Sequence, residues 1–175
     1  MHIKTISGLA INPHALETHD IDLRDIAHGL SQVHPWPQAR ECYSLAQRAV
    51  HMMEIARAPS AFSPGMSAET EREFRSMSAW CLLMNAPAAY GLRPDEDAFG
   101  IALLAIARRC CLGPRHELVL ARIDAMVQAA ERAALFGLPL GDPAVDDLPA
   151  TMMVVPAAAA EAERMFLSSL EDFAW

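Results

Sequence analysis

Apolar residues recur along this chain at intervals of three and four positions, which is the spacing of one face of an α-helix. The clearest example lies in residues 41–57, where Leu45, Ala49, Met52 and Ala56 would form one buried stripe. No convincing run alternates between apolar and polar residues, as a half-buried strand would. The pattern therefore predicts an all-α protein.

Prolines, glycines and capping residues divide the periodic segments into helices. A first helix should end near Val33, because the Pro-Trp-Pro loop that follows removes backbone donors and disfavours helix. Ser67 is a suitable N-cap for a third helix, and Gly137 is suited to the position just after the end of a fifth. We expect one domain over residues 1–175, a bundle of six to seven helices. The later predicted segments are 41–57, 67–83, 95–110, 116–136 and a C-terminal helix over 156–175, with a loop at 59–65.

Charge and composition narrow the classes of protein. The formal charge is −8, and Lys4 is the only lysine among 14 basic residues, so general binding to nucleic acid is not expected. The apolar runs are shorter than the ~20 residues that span a bilayer, and the first residues do not resemble a signal peptide. We therefore expect a cytoplasmic protein without membrane contact. Its four cysteines lack C-x-x-C spacing and are expected to be reduced.

Four segments, in this order, carry a resemblance to a known family. They are D-I-A-H-G-L-S at 25–31, Y-S-L-A-Q-R at 43–48, L-L-M-N-A-P-A-A-Y at 82–90 and V-Q-A-A-E at 127–131. They resemble D-I-A-H-A-L-S, Y-S-V-A-Q-H, L-L-H-D-A-A-E-A-Y and V-K-E-A-D of the HD-domain metal-dependent phosphohydrolases. The branch concerned is bacterial and phage, and its known members are nucleotide phosphohydrolases. The resemblance covers about residues 7–140 and implies an HD-type helical bundle.

The residues that would carry the family's chemistry differ in this chain. The resemblance puts Arg48, Met84, Asn85 and Glu131 at the metal-ligand positions, and Ala88 where the family has the glutamate that assists hydrolysis. A guanidinium only donates hydrogen bonds and stays protonated, so it cannot bind a metal. Methionine sulfur is a poor ligand for a hard metal, and asparagine brings no charge. We therefore predict no metal, no cofactor and no catalytic residue at this vestigial site.

One replacement suggests what took the place of the ion. The resemblance implies that the helices that carry Arg48 and Glu131 meet at the position of the family's metal ion. A guanidinium–carboxylate pair would supply the same charge complementarity. We predict a direct Arg48–Glu131 salt bridge with Met84 packed beside it.

Other side chains could serve a ligand or a displaced metal. Arg40, Arg48 and Arg93 could bind a phosphate, and Trp36 could stack on a base, although a packed loop anchor is the favoured interpretation of this tryptophan. The family's G-H-T-R stretch corresponds here to Pro-Gln-Ala-Arg at 37–40, so only its arginine remains.

Three histidines are candidate ligands of a relocated metal. His28, His34 and His51 show no H-x-x-x-H spacing, and ordinary structural roles are favoured for all three.

Three functions stay open on the sequence alone. The first is an inactive HD-like module that binds a protein partner or associates with itself. The second is a protein that binds a nucleotide or another small phosphorylated ligand without hydrolysing it. The third is a phosphohydrolase with relocated metal ligands.

Overall fold

The structure is a computed structural model that describes residues 2–61, 67–137 and 153–173. Within these ranges it contains six α-helices and one short hairpin, which confirms the all-α fold class. The helices are α1 (Leu23–Gln32), α2 (Leu45–Ala61), α3 (Ala68–Leu83), α4 (Asp97–Arg109), α5 (Glu117–Phe136) and α6 (Ala159–Glu171).

Strands were not expected, but the N-terminal residues form a small antiparallel hairpin of β1 (Ile3–Lys4) and β2 (Ala10–Ile11). Each strand has two residues, too few to show an alternating pattern in the sequence. The turn of the hairpin is fastened to α1, because the backbone N–H and hydroxyl of Ser7 both donate to the Asp25 carboxylate, at 2.9 and 2.7 Å.

Helix α2 lies at the centre and packs against α1, α3, α5 and α6. It begins at Leu45 rather than at residue 41, because Ser44 and Gln47 form a capping box. The Ser44 hydroxyl accepts from the Gln47 backbone N–H, and the Gln47 side-chain oxygen accepts from the Ser44 backbone N–H, both at 3.4 Å. The helix continues to Ala61, so positions 59–61 of the predicted loop are helical. Positions 62–65 of that loop lie outside the described residues.

The predicted helix ends are otherwise close to those observed. Helix α3 ends at Leu83, as predicted, and a 3₁₀ helix, Ala86–Tyr90, follows it. Helix α4 starts at Asp97 and helix α6 at Ala159, two and three residues later than predicted. Within the described residues, no helix combines the length and apolarity that a membrane span needs.

The 3₁₀ helix after α3 packs closely on α1 at Gly29. A Cβ built on Gly29 would lie 2.6 Å from both the Cβ and the carbonyl oxygen of Ala89. Such a contact involves backbone and cannot be relieved by turning a side chain. Glycine is therefore needed here for the close approach of two backbones.

Candidate functional site

Arg48 is the centre of the site that the sequence singled out. Arg48 lies on α2 at the border of the buried face, and only 7% of it is exposed to solvent. Its Nη2 and Nε donate to Asp124 Oδ1 at 2.7 and 3.2 Å. Its Nη1 lies 3.6 Å from Glu131 Oε2, so the predicted Arg48–Glu131 ion pair is present. One guanidinium therefore joins α2 to two carboxylates of α5.

Asp124 was missed by the sequence reasoning and is the nearer of the two acidic partners. It lies seven residues before Glu131, which is two helical turns and hence the same face of α5. Gln128 stands between them and donates from its side-chain nitrogen to Asp124 Oδ2 at 2.7 Å. The spacing of these side chains was visible in the sequence and could have predicted a shared partner.

Glu131 is fully buried, and its two oxygens differ in their surroundings. Oε2 accepts a hydrogen bond from the Trp36 indole N–H at 2.5 Å and faces Arg48. Oε1 has no hydrogen-bond partner within the part of the chain that the structure describes. Burial raises the pKa of Glu131, while Arg48 and the Trp36 hydrogen bond oppose that rise. The network therefore holds a carboxyl group whose charged form is incompletely compensated.

Tyr43 and His51 form a second buried pair beside this network. Their Oη and Nδ1 atoms lie 2.8 Å apart, and the two rings stack with their centroids separated by 5.9 Å. Burial lowers the pKa of His51 to about 4, so its imidazole is neutral at pH 7. Burial and the nearby Glu131 raise the pKa of Tyr43, and its hydroxyl stays protonated. The Tyr43 hydroxyl is hydrogen-bonded to His51. As a nearby polar group it also opposes the rise in the pKa of Glu131.

Trp36 links the loop after α1 to the end of α5. In addition to its hydrogen bond with Glu131, its ring lies edge-on to Phe136 with 5.8 Å between the centroids. The indole is half-buried, and its N–H and its ring both make contacts within the subunit. This arrangement favours the loop-anchor interpretation over stacking on a base. The nearby Arg40 is exposed.

The other positions that the resemblance singles out lie at the end of α3 and just beyond it. Met84 and Asn85 are half-buried and line an open surface pocket together with Phe99 and Arg115. Met84 also packs against the main core. Its contact with the Arg48–Glu131 pair stays a prediction. Ala88 is half-buried in the following 3₁₀ helix.

Arg93, the last candidate for binding a phosphate, is an exposed residue with acidic neighbours. Its Nε lies 2.9 Å from Glu96 Oε1 and 3.7 Å from Asp95 Oδ1. Both carboxylates raise the pKa of its guanidinium. A phosphate would have to compete with these neighbours for Arg93.

The three histidines considered as metal ligands each have a separate partner. His28 Nδ1 lies 3.0 Å from Glu163 Oε2, His34 Nδ1 lies 3.2 Å from the Tyr43 carbonyl oxygen, and His51 pairs with the Tyr43 hydroxyl. Over residues 2–61, 67–137 and 153–173, no group of three or more His, Cys, Asp or Glu side chains is arranged to hold a metal ion.

The side chains around Arg48 do not fit a divalent metal. A permanent positive charge stands between the two carboxylates, with Nη2 only 2.7 Å from Asp124. An ion bound to Glu131 from this side would face that charge. The resemblance would add only the neutral amide of Asn85 and the thioether of Met84, which are poorly suited to a hard cation.

No protein-family model matches this sequence, and no curated protein is similar enough to count as a match. The resemblance to HD-domain proteins is therefore carried by the four segments and stays a prediction. The fold class and the geometry around Arg48 do not depend on it.

Proposed function

We propose that this chain is an HD-domain-like module without hydrolytic activity, in which a guanidinium–carboxylate network replaces the metal ion. The observation that carries the proposal is the position of Arg48 between Asp124 and Glu131. A guanidinium at this place links the same two helices that a metal would link. It supplies fixed positive charge but no Lewis acid and no activated water.

The side chains around the network support the loss of hydrolysis. The general-acid position holds Ala88, and a positioned proton donor or acceptor is commonly worth ~10²–10⁴ in rate. The Tyr43 hydroxyl, with its raised pKa, remains protonated and bonded to the neutral His51. Both side chains are buried and bonded to each other, so neither is presented to an incoming substrate.

Binding of a phosphorylated ligand has weaker support than an interaction role. The charge of Arg48 is already matched by two carboxylates, and Arg93 has acidic neighbours. The ring and N–H of Trp36 are both engaged. The partner proposed is therefore a protein, either a different one or a second copy of this chain. A cytoplasmic location is part of the proposal, and the four free cysteines support it.

A hydrolysis assay tests the proposal. The purified chain is incubated with nucleoside mono- and triphosphates and with Mg²⁺, Mn²⁺ or Co²⁺, and released phosphate is measured with and without a chelator. We expect no chelator-sensitive turnover. Turnover that the chelator abolishes, and that is also lost in Glu131→Gln, would contradict the proposal. A thermal-shift series with the same nucleotides checks for non-hydrolysing binding, since a ligand of the folded state raises Tm.

The matched comparison is a variant with the family residues restored, Arg48→His, Met84→His, Asn85→Asp and Ala88→Glu. Under the proposed ancestry this variant gains stoichiometric Mn²⁺ binding, which the original chain lacks. If the folded variant binds no metal, the alignment of these positions with the family is wrong.

A further inference from the structure

The outer face of α4 carries a stripe of four exposed residues, Asp97, Ile101, Leu104 and Arg108, here called the α4 stripe. Their spacing of four, three and four positions keeps them within an arc of about 60° around the helix axis. Ile101 is 51% exposed and Leu104 is 58% exposed. Apolar residues at this spacing form the seam along which two helices pair.

The stripe is symmetric about its own centre. Ile101 and Leu104 lie on either side of the midpoint, and Asp97 and Arg108 lie at equal distances beyond them. In an antiparallel pair of α4 helices related by a two-fold axis, Ile101 would face the partner's Leu104. Asp97 would face the partner's Arg108. The charges are thus complementary to a second copy of the same surface.

The two charged ends of the stripe are free to make such pairs. Among residues 2–61, 67–137 and 153–173, no hydrogen bond or ion pair involves the side chain of Asp97 or that of Arg108. The nearby Arg115, in contrast, is paired with Glu117 at 3.2 Å. An interface would therefore gain two interhelical ion pairs without breaking any within the subunit.

Gly100 leaves open space for a second helix beside α4. It is exposed in the first turns of the helix, next to the α4 stripe, and a Cβ built on it would meet nothing within 4 Å. The subunit itself therefore does not require glycine here, although glycine in a helix costs roughly 0.5–1 kcal/mol relative to alanine. A small residue at this position lets a neighbouring helix pack closely.

We propose that this protein forms a homodimer through antiparallel pairing of the α4 stripes. The inference does not depend on the proposed loss of hydrolysis, since it uses only the surface of α4. A helix of 13 residues is about 20 Å long, and surface grooves lined by Leu16 on one side and Leu112 on the other extend the contact area. Such an area is at the small end of stable interfaces, so the dimer is expected to dissociate on dilution.

Sedimentation equilibrium over a dilution series tests the proposal. The chain is expected to approach twice its 19.1 kDa mass at high concentration and to dissociate on dilution. Leu104→Arg places like charges near the interface centre and should weaken the dimer at least about a hundredfold. The matched control is Leu118→Arg, which changes an 88% exposed leucine on α5 and should leave dimerisation unchanged. A chain that stays monomeric up to about 100 μM, or equal loss in both variants, overturns the proposal.

Charge reversal tests the antiparallel register. Asp97→Arg alone and Arg108→Asp alone each put like charges opposite one another at both ends of the stripe, and each should weaken the dimer about tenfold. The double variant restores opposite charges in the antiparallel register and should recover most of the original association. If the double variant is no stronger than either single variant, the proposed register is wrong. Circular dichroism of each variant confirms that the exposed substitutions leave the helices intact.

Discussion

Substitution of Arg48 by methionine removes the guanidinium but keeps an unbranched apolar side chain on α2. Asp124 then loses a partner that it meets through two nitrogens, at 2.7 and 3.2 Å. Glu131 loses the positive charge 3.6 Å from Oε2 and keeps only the Trp36 indole as a strong donor. The change therefore leaves a buried carboxylate with little compensation.

The magnitude follows from the burial of the two partners. Removal of one member of a buried ion pair typically costs about 3–5 kcal/mol. The Glu131 side chain is fully buried and should show this cost, but the Asp124 side chain is 26% exposed and can be partly rehydrated. We therefore expect Arg48→Met to lower the free energy of unfolding by about 3 kcal/mol.

Urea unfolding followed by circular dichroism measures this loss as a lower midpoint with an unchanged slope. The control is Arg164→Met, which removes an Arg–Glu pair of exposed residues on α6 and should leave the midpoint within error. Adding Glu131→Gln to Arg48→Met should restore part of the lost stability, because the uncompensated charge is then absent. A loss below about 1 kcal/mol for Arg48→Met would refute the reasoning.

The same variant should be more destabilised at higher pH. Burial already raises the pKa of Glu131 in the folded protein, and Arg48 opposes that rise, so its removal raises the pKa further. A carboxyl group with a raised folded-state pKa favours folding at low pH, and this contribution is lost as pH rises through the folded-state value. The deficit of Arg48→Met should therefore grow as pH rises above the ordinary pKa of a glutamate.

Three further predictions concern residues outside the ion pair. Burial lowers the pKa of His51 from 6.5 in the unfolded chain to about 4 in the folded protein. Stability that is present above pH 6.5 is therefore lost as pH falls toward 4, by about 3 kcal/mol. His51→Asn removes this titration and should make the protein less sensitive to acid. Urea midpoints across this range measure it, and an unchanged pH dependence would contradict the burial argument. Gly29→Ala should destabilise by about 1–2 kcal/mol, because its Cβ would lie 2.6 Å from Ala89 backbone and side-chain atoms. Gly100→Ala, with open space around its Cβ, should instead stabilise the monomer by roughly 0.5–1 kcal/mol. Equal effects from the two substitutions would show that the close contact with Ala89 has no energetic consequence.

The helices could be predicted from the sequence because their signals are local. Apolar spacing predicted α2, and Ser67 and Gly137 were correct as the N-cap of α3 and the C-cap of α5. The start of α2 was missed by several residues, because the Ser44 and Gln47 capping box was not recognised. The N-terminal hairpin was missed because strands of two residues have no detectable period.

The site could be predicted only in part, because its contacts join residues far apart in the chain. The resemblance, together with charge complementarity, predicted the Arg48–Glu131 pair, and the structure contains it. The stronger contact with Asp124 was missed, since that aspartate lies outside the four segments that carry the resemblance. The hydrogen bond from Trp36 to Glu131 spans 95 positions and has no local signal at all.

Metal stoichiometry tests the central claim, that Arg48 stands in place of an ion, most directly. The purified chain is incubated with excess Mn²⁺ or Co²⁺, desalted and analysed for metal content, with Glu131→Gln treated in parallel. The guanidinium between Asp124 and Glu131 predicts far less than one metal per chain, with no difference between the two proteins. One equivalent of metal in the original chain that is lost in Glu131→Gln would contradict the account.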